Sequence, residues 1–501
     1  IDRLKQTVLI ARDPFGIKPL YYHVRKNSFY FASEVPALLE LTQSSRTVNI
    51  GRAFEYLVHG SYDHGPDSFF AEVQSLVAGH LIEFSLSDAR LGITPDRWWW
   101  PSVTENIKLS FDSAAEQVRS AFLENIRMHL RSDVKIGAAL SGGVDSSAVV
   151  CAMRHVNPDI EINTFSYIAK GQPGNEEHWV DLVNSQVNAK AHKVYVSANE
   201  LAEDIDAMIM CQGEPFYSTS IYAQYRVFKE ARLNGVTVTL DGQGADELLA
   251  GYRGYPGPRM RSMLDRHQYL SLLQFLNAWS KWPDRSFASG LQALGAEFLS
   301  GRMRDFALRV IGRETMPAWI NEGYLADKRP QFEPHPFNNI NDRVPCRRMM
   351  STLRQTMTGG GLAHLLRHGD RNSMHWSVES RVPFLTGDFA DLLLSLPEHY
   401  LVSSTGETKH VFKRAMQGIV PADILNRRDK VGFETPELFW LTNLGPRLNA
   451  WLDVGRKIPL FNFDRLAVEL EEALEGRRPF GHHLWRILNF CRWAEIYKVT
   501  F

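Results

Sequence analysis

No apolar run in the sequence reaches the roughly 20 residues that a helix needs to cross a bilayer, and the opening IDRLKQTVLIARD does not read as a signal peptide. A membrane association is therefore not expected, and a cytoplasmic location is. Cysteine is scarce: the 501 residues include four, Cys151, Cys211, Cys346 and Cys491, far apart and without paired metal-ligand spacing. That excludes a disulfide scaffold and fits reduced thiols. An excess of either charge is absent too. The 56 basic and 57 acidic residues give a net charge of -1, so no bulk attraction to nucleic acid or to an anionic membrane arises. There is no internal repeat, no low-complexity tract and no initiator methionine. The start at Ile1 sets the expectation of a fragment of a longer protein.

What is present reads as an ordinary globular chain, 44% hydrophobic and 23% charged. Its length predicts two or more units, each burying its own core. TVLIA, PLYYHV, SFYFAS and HLIEFSL are short aromatic and β-branched runs separated by turn formers such as DPFG and RKNS, so the first part is predicted β-rich. RWWWP marks a junction, because Pro101 resists strand continuation. Ser113 and Glu116 have capping-box spacing and Val118, Phe122, Ile126 and Leu130 recur every fourth residue, which predicts a helix starting there. Strand-like VKIGAAL, INTFSYI, HKVYV and VTVTL then alternate with helical segments, the signature of a parallel sheet covered on both faces. After about residue 255 the chain reads as mainly helical.

The chemistry is concentrated in LSGGVDSSAVV, residues 140–150, directly after VKIGAAL. A glycine-rich turn between a parallel strand and a helix exposes backbone N–H groups to an anion, helped by the helix dipole. Gly142 and Gly143 permit close approach, and Ser141, Ser146 and Ser147 offer hydroxyls. Asp145 is out of place beside phosphate unless it holds a Mg²⁺ that bridges to it. The segment has no Gly-Lys-Ser/Thr ending and so is not a Walker loop; it resembles the pyrophosphate loop of ATP pyrophosphatases. A second segment, LDGQGADELLAGY (residues 240–252), follows VTVTL, and Asp246 there can supply a second carboxylate for the metal. The plainer alternative in both places is a turn followed by acidic residues that favour a helix N-terminus.

RDPFGIKPLYY, FASEVPALL, SGGVDSS, TFS, GEPF, DGQGADELLAGY, DRNSM, ESRVPFL and RRDKVGFETP occur in this order. The series resembles the glutamine-hydrolysing (class B) asparagine synthetases over nearly the whole chain. The resemblance implies an α/β fold: a partial, β-rich N-terminal-nucleophile glutaminase domain over residues 1–103, then a parallel-sheet ATP-pyrophosphatase (PP-loop, adenine nucleotide α-hydrolase-like) synthetase domain over residues 104–501 with a helical C-terminal part. It implies ATP and Mg²⁺ as cofactors, activation of aspartate as β-aspartyl-AMP with release of pyrophosphate, and amide formation with ammonia derived from glutamine, in asparagine biosynthesis. Other implied partners are small molecules, with neither nucleic acid nor membrane; a homodimer is left open.

Carried over position by position, the resemblance sets Ser141, Gly142, Gly143, Asp145 and Ser146 around pyrophosphate, and Asp145 and Asp246 on Mg²⁺. It sets Leu140, Phe165, Ser166 and Gly242 near the adenosine. Lys430 is matched to a lysine that neutralises charge on the departing pyrophosphate and α-phosphate, where compensation acts most in the transition state. Without the resemblance Lys430 reads as a solvated lysine in RRDK, and Glu379 and Arg381 as an ordinary ion pair.

Three departures stand out. The family's glutaminase uses an N-terminal cysteine, whereas this chain starts at Ile1; the expectations are an absent glutaminase nucleophile, use of free ammonia, and an exposed edge in residues 1–103. Gln243 stands where asparagine-forming members commonly carry glutamate and β-lactam-forming relatives tyrosine; an amide can orient a nucleophile but cannot take its proton. Thr386 stands where aspartate is frequent. The resemblance to β-lactam-forming relatives, which pair the position of Gln243 with a glutamate in the matching ESR segment, implies that Gln243 orients the nucleophile while Glu379 or solvent accepts the proton. The departures also leave two other readings: a synthetase that closes a lactam or macrolactam or amidates another acid, and a non-catalytic remnant.

Overall fold

The computed structural model describes residues 1–87, 93–106, 108–171, 175–299, 316–328, 343–428, 437–442, 444, 446–478 and 481–501. Its N-terminal part holds two three-stranded antiparallel sheets. β1 (Thr7–Ala11), β5 (His80–Ser85) and β6 (Asp96–Arg97) lie in the order β1-β5-β6, and β3 (Ser28–Ala32), β2 (Tyr21–Arg25) and β4 (Gln74–Ser75) in the order β3-β2-β4. Tyr22, Leu76 and Ile82 pack between them, flanked by Ile10, Phe29 and Phe84. Within RDPFG, the Asp13 carboxylate accepts the N–H groups of Phe15, Ile17 and Lys18 at 2.9–3.1 Å, which closes the turn between β1 and β2. β1 and β3 are edge strands, and Leu9 and Phe31 on them are more than half exposed.

The third sheet is five-stranded and wholly parallel. β7 (Ile136–Ala139) is central, β8 (Asn163–Tyr167) and β9 (Lys190–Val194) lie on one side, and β10 (Val238–Leu240) and β11 (Glu379–Arg381) on the other. The chain runs outward from β7 through β8 to β9, then returns beside β7 as β10. The order therefore reverses between β7 and β10, which opens a crevice at the strands' carboxyl ends. Of the five, β11 has no counterpart in the sequence reading; at three residues, inside a helical stretch, it shows no alternation to detect.

The helix before β7 runs Phe111–His129, with Val118, Phe122 and Ile126 buried as the periodicity predicts. Its cap is Ser110, whose side chain accepts the Ser113 N–H, and not Ser113. Ser110 competes with Ser113 for the same role, and Phe111 between them enters the helix by stacking on His410.

Beside the core between the two N-terminal sheets, a larger apolar cluster is shared by the two parts. It joins Tyr21, Leu38, Tyr56 and Phe70 of the N-terminal part to Met208, Phe216, Trp485 and Trp493 of the later helices. At its edge the buried Arg367 guanidinium donates to Asp63 Oδ2 (2.7 Å) and to the Pro215 carbonyl (2.9 Å). Removing one partner of a buried ion pair costs about 3–5 kcal/mol. Arg367→Met is therefore expected to lower the urea midpoint followed by near-ultraviolet circular dichroism. An unchanged midpoint would show that the two parts do not depend on this contact.

Candidate active site

The turn after β7 is built by close contacts that only glycine permits. Gly142 has a φ of +76°, and a Cβ there would lie 2.6 Å from Trp179 Cβ. Gly143 caps the helix Val144–Val156 without any side-chain acceptor, so no side chain competes for the first-turn N–H groups. Ser146 Oγ accepts the Ser141 N–H at 3.1 Å and lies 3.1 Å from Ser141 Oγ, which ties the base of the loop. Arg427 donates to the Gly142 carbonyl at 3.2 Å, pairs with Glu176 at 2.7 Å and stacks over Trp179. The basic run RRDK thus begins with a residue docked on this loop, which the sequence reading did not anticipate.

The loop after β10 meets the first one backbone to backbone. A Cβ on Gly242 would lie 3.0 Å from Ser146 N and 3.2 Å from Asp145 Cβ. Asp145 and Asp246, from the two loops, converge on one group: Lys409 Nζ, 2.6 Å from both oxygens of Asp145 and 2.6 Å from Asp246 Oδ1. Lys409 is buried, with a left-handed φ of 55° at the start of the helix His410–Ala415. Gly251 completes the enclosure, since a Cβ there would fall 1.7 Å from Asp246 Oδ1 and 2.6 Å from Lys409 Cε. Burial works against the lysine's charge, but Asp145 and then Asp246 outweigh it and hold the ammonium pKa above its ordinary value.

The donor set suits a hard divalent cation in part. Two carboxylates with oxygens equidistant from one point form a bridging pair, and no cluster of three or more His, Cys, Asp or Glu side chains occurs among the described residues. Mg²⁺ needs six oxygens and is commonly held by one or two carboxylates, with water and substrate phosphates supplying the rest. Asp145 and Asp246 fit that description.

Of the other expected site residues, Leu140 is buried and donates its N–H to the Phe165 carbonyl at 3.0 Å, and the buried Ser166 hydroxyl has no hydrogen-bond partner among the described residues. Phe165 does not present its ring to the crevice. The ring packs with Val194 and Phe228 and stacks on His192 at 4.8 Å, so only its backbone borders the loop. Gln243 donates its backbone N–H to Asp241 Oδ1 at 3.2 Å. Burial raises the Asp241 carboxyl to about 6. Glu247, raised to about 7 by burial and then by Asp246, accepts the Tyr252 hydroxyl. Thr386 Oγ1 accepts from Asn125 Nδ2 at 2.9 Å at the start of the helix Gly387–Ser395.

Glu379 is not brought to the crevice. The register pairs it with Val238, which pairs with Ile136, so it stands at the amino end of the strands, opposite the loops. Its half-exposed carboxylate is held by Arg381 at 2.9 Å, and Arg381 in turn donates to the carbonyls of His129 and Arg131. This is an ion pair that anchors β11, and the expectation of a catalytic base at Glu379 is corrected. Lys430 lies outside the described residues.

A family model described as asparagine synthase matches residues 117–495, and one described as glutamine amidotransferase domain matches residues 1–99. The chain is 26% identical to asparagine synthetase [glutamine-hydrolyzing] 1 of Bacillus subtilis over 97% of its own length and 75% of the relative's. It is 29% identical to a putative asparagine synthetase [glutamine-hydrolyzing] of Mycobacterium tuberculosis (strain H37Rv), over 99% and 75% of the two lengths. A putative asparagine synthetase of Methanocaldococcus jannaschii matches at 29% over 50% of the chain and 48% of the relative.

Lys409→Met would leave two carboxylates facing each other without their cation, at a cost of about 3–5 kcal/mol. The variant is expected to melt at a lower temperature than the parent, and millimolar Mg²⁺ to restore part of the loss. No recovery with Mg²⁺ would remove the metal assignment.

Proposed function

The chain belongs to the asparagine synthase family, and from that premise we propose that it activates aspartate as β-aspartyl-AMP and converts it to the amide with ammonia. Carbon–nitrogen ligation driven by ATP is the general chemistry of the family. The observation that carries the finer reading is the convergence of Asp145, Asp246 and Lys409 at the carboxyl ends of neighbouring β7 and β10. Residues 1–103 are then the amidotransferase part and 104–501 the synthetase part.

In this reading the first-turn N–H groups after Gly143, with Ser141 and Ser146, bind the β- and γ-phosphates of ATP. Asp145 and Asp246 would hold Mg²⁺, which neutralises phosphate charge when bound. The substrate carboxylate attacks the α-phosphorus; a new O–P bond forms, the bond to the β-phosphate oxygen breaks and pyrophosphate leaves. Lys409, buried and charged, stabilises the negative charge that moves onto the leaving group. Leu140, the Phe165 backbone, Ser166 and Gly242 border the place for adenosine. Ammonia then attacks the acyl carbon, AMP departs and the nitrogen gives up a proton. Lys430, in RRDK, is assigned to the same leaving charge by the resemblance alone.

Asp241 replaces Glu379 as the proposed acceptor of that proton. It lies at the end of β10, fixes the Gln243 backbone, and with a pKa of about 6 is ionised yet still basic near neutrality. Gln243 orients the incoming nitrogen.

Two outcomes test the scheme. Asp145→Asn and Asp246→Asn are expected to lower aspartate-dependent ATP–pyrophosphate exchange about 10²–10³-fold, the range for loss of one transition-state contact, with circular dichroism unchanged; undiminished exchange in both would refute the site. Asp241→Asn is expected to retain exchange but to slow amide formation. In the parent, the rate per free ammonia should fall as pH drops through about 6, where Asp241 is protonated. The same pH profile in Asp241→Asn would exclude it as the base.

A further inference from the structure

The segment WSKWPDR, residues 279–285, was not distinguished in the sequence, yet it clamps both loops that carry the buried ionic group. Trp279 Nε1 donates to the Arg253 carbonyl at 2.7 Å, on the loop that follows Asp246. Trp282 Nε1 donates to the Thr405 carbonyl and Arg285 to the Gly406 carbonyl, each at 2.8 Å, on the loop that ends at Lys409. Gly406 lies so close that a Cβ there would sit 2.8 Å from Trp279 Cα. The two loops also touch each other, since a Cβ on Gly254 would lie 3.0 Å from Val402 Cγ1 and 3.2 Å from Thr408 Cγ2.

Three arginines gather on this clamp. The Arg285 guanidinium lies 5.2 Å from the ring centres of both Trp279 and Trp282, and Arg428 lies 4.7 Å from that of Trp282. Arg253 is close enough that its charge, after burial, helps to lower the Arg285 pKa to about 10. The buried guanidinium groups of Arg367 and Arg427 each have a carboxylate partner, whereas among the described residues none pairs with Arg253, Arg285 or Arg428. Arg253 and Arg428 are exposed, and Arg285 is partly buried. Guanidinium groups held on indole faces keep their planar forks available for an oxyanion.

We propose that Arg253, Arg285 and Arg428 form an oxyanion subsite on the outer side of these loops, which takes a phosphate or carboxylate group of a ligand bound in the neighbouring crevice. Among the described residues the positive charge has no counterion; it sits beside a site proposed to handle anions and is bonded to the loop three residues before Lys409. The proposal rests on the ligase reading only for the source of the anion. That source is either pyrophosphate released from ATP or a second acidic group on the acid substrate.

The test is calorimetric titration of the whole chain at fixed ionic strength, with inorganic pyrophosphate and separately with tricarballylate. Arg253→Gln/Arg428→Gln leaves the hydrogen bonds of Trp279, Trp282 and Arg285 in place, whereas loss of Arg285 would release Gly406. The double variant is expected to bind at least one probe about tenfold more weakly, as for the loss of charge-assisted hydrogen bonds. Arg25→Gln/Lys26→Gln, an equal charge change on the exposed end of β2, should bind as the parent does. Weakening for pyrophosphate alone assigns the subsite to the leaving group; weakening for tricarballylate assigns it to the acid. Identical isotherms in parent and double variant, no binding of either probe, or equal weakening in the control pair would overturn the subsite. Failure of the ligase reading is separate: ATP–pyrophosphate exchange would then be absent from the parent while the titration still reports on the arginines.

Discussion

A buried ammonium held between two carboxylates organises the synthetase part of this protein. Lys409 sits 2.6 Å from Asp145 and from Asp246, and those three side chains come from three different segments. The two carboxylates repel each other, and the ammonium between them offsets that repulsion. The ion pairs therefore fix the relative positions of the loop after β7, the loop after β10 and the turn before His410. In the proposed reading the same charge balance suits the place to ATP, because magnesium and phosphate groups would arrive with charges that the three residues can redistribute without rearranging the sheet.

The backbone around this group is spared wherever a side chain would intrude. Gly142 lies against Trp179, Gly242 against the Asp145 backbone, and Gly251 against both Asp246 and Lys409. The contacts of Gly142 and Gly251 are incompatible with a Cβ in the present geometry and that of Gly242 is tight for one, so the loops approach one another more closely than most residues would permit. The strand order supplies the rest, since β7 and β10 are neighbours whose connections depart in opposite directions.

Local features of this arrangement were legible in the sequence and distant ones were not. SGGVDS and DGQGAD each hold their functional groups within a few residues of a strand end, and their glycines announce the turn. Lys409 lies 264 residues from Asp145 in the chain, in TGETKHVF, where nothing distinguishes it from a solvated lysine. Arg427 is similarly remote from Gly142. Glu379 was misplaced because a motif gives no register: only the pairing of β11 with β10 shows that it lies at the amino end of the sheet. Phe165 misled for a related reason, as β8 is buried on both faces and its side chains belong to the core even where its backbone borders the crevice. The helical periodicity from Val118 to Ile126 was readable, but the choice of Ser110 over Ser113 as cap depends on Phe111 stacking on a residue far along the chain.

The shared core between the N-terminal sheets and the C-terminal helices means that the two parts are held together by apolar packing as well as by Arg367 and Asp63. The central claim is that the acid is activated at the α-phosphorus of ATP. Its most direct test is oxygen transfer: aspartate carrying ¹⁸O in its side-chain carboxylate is supplied with ATP, Mg²⁺ and ammonia, and the nucleotide product is analysed by mass spectrometry. Activation as an acyl-adenylate predicts AMP containing one ¹⁸O atom from the carboxylate. Unlabelled AMP, or ADP with labelled phosphate, would contradict it.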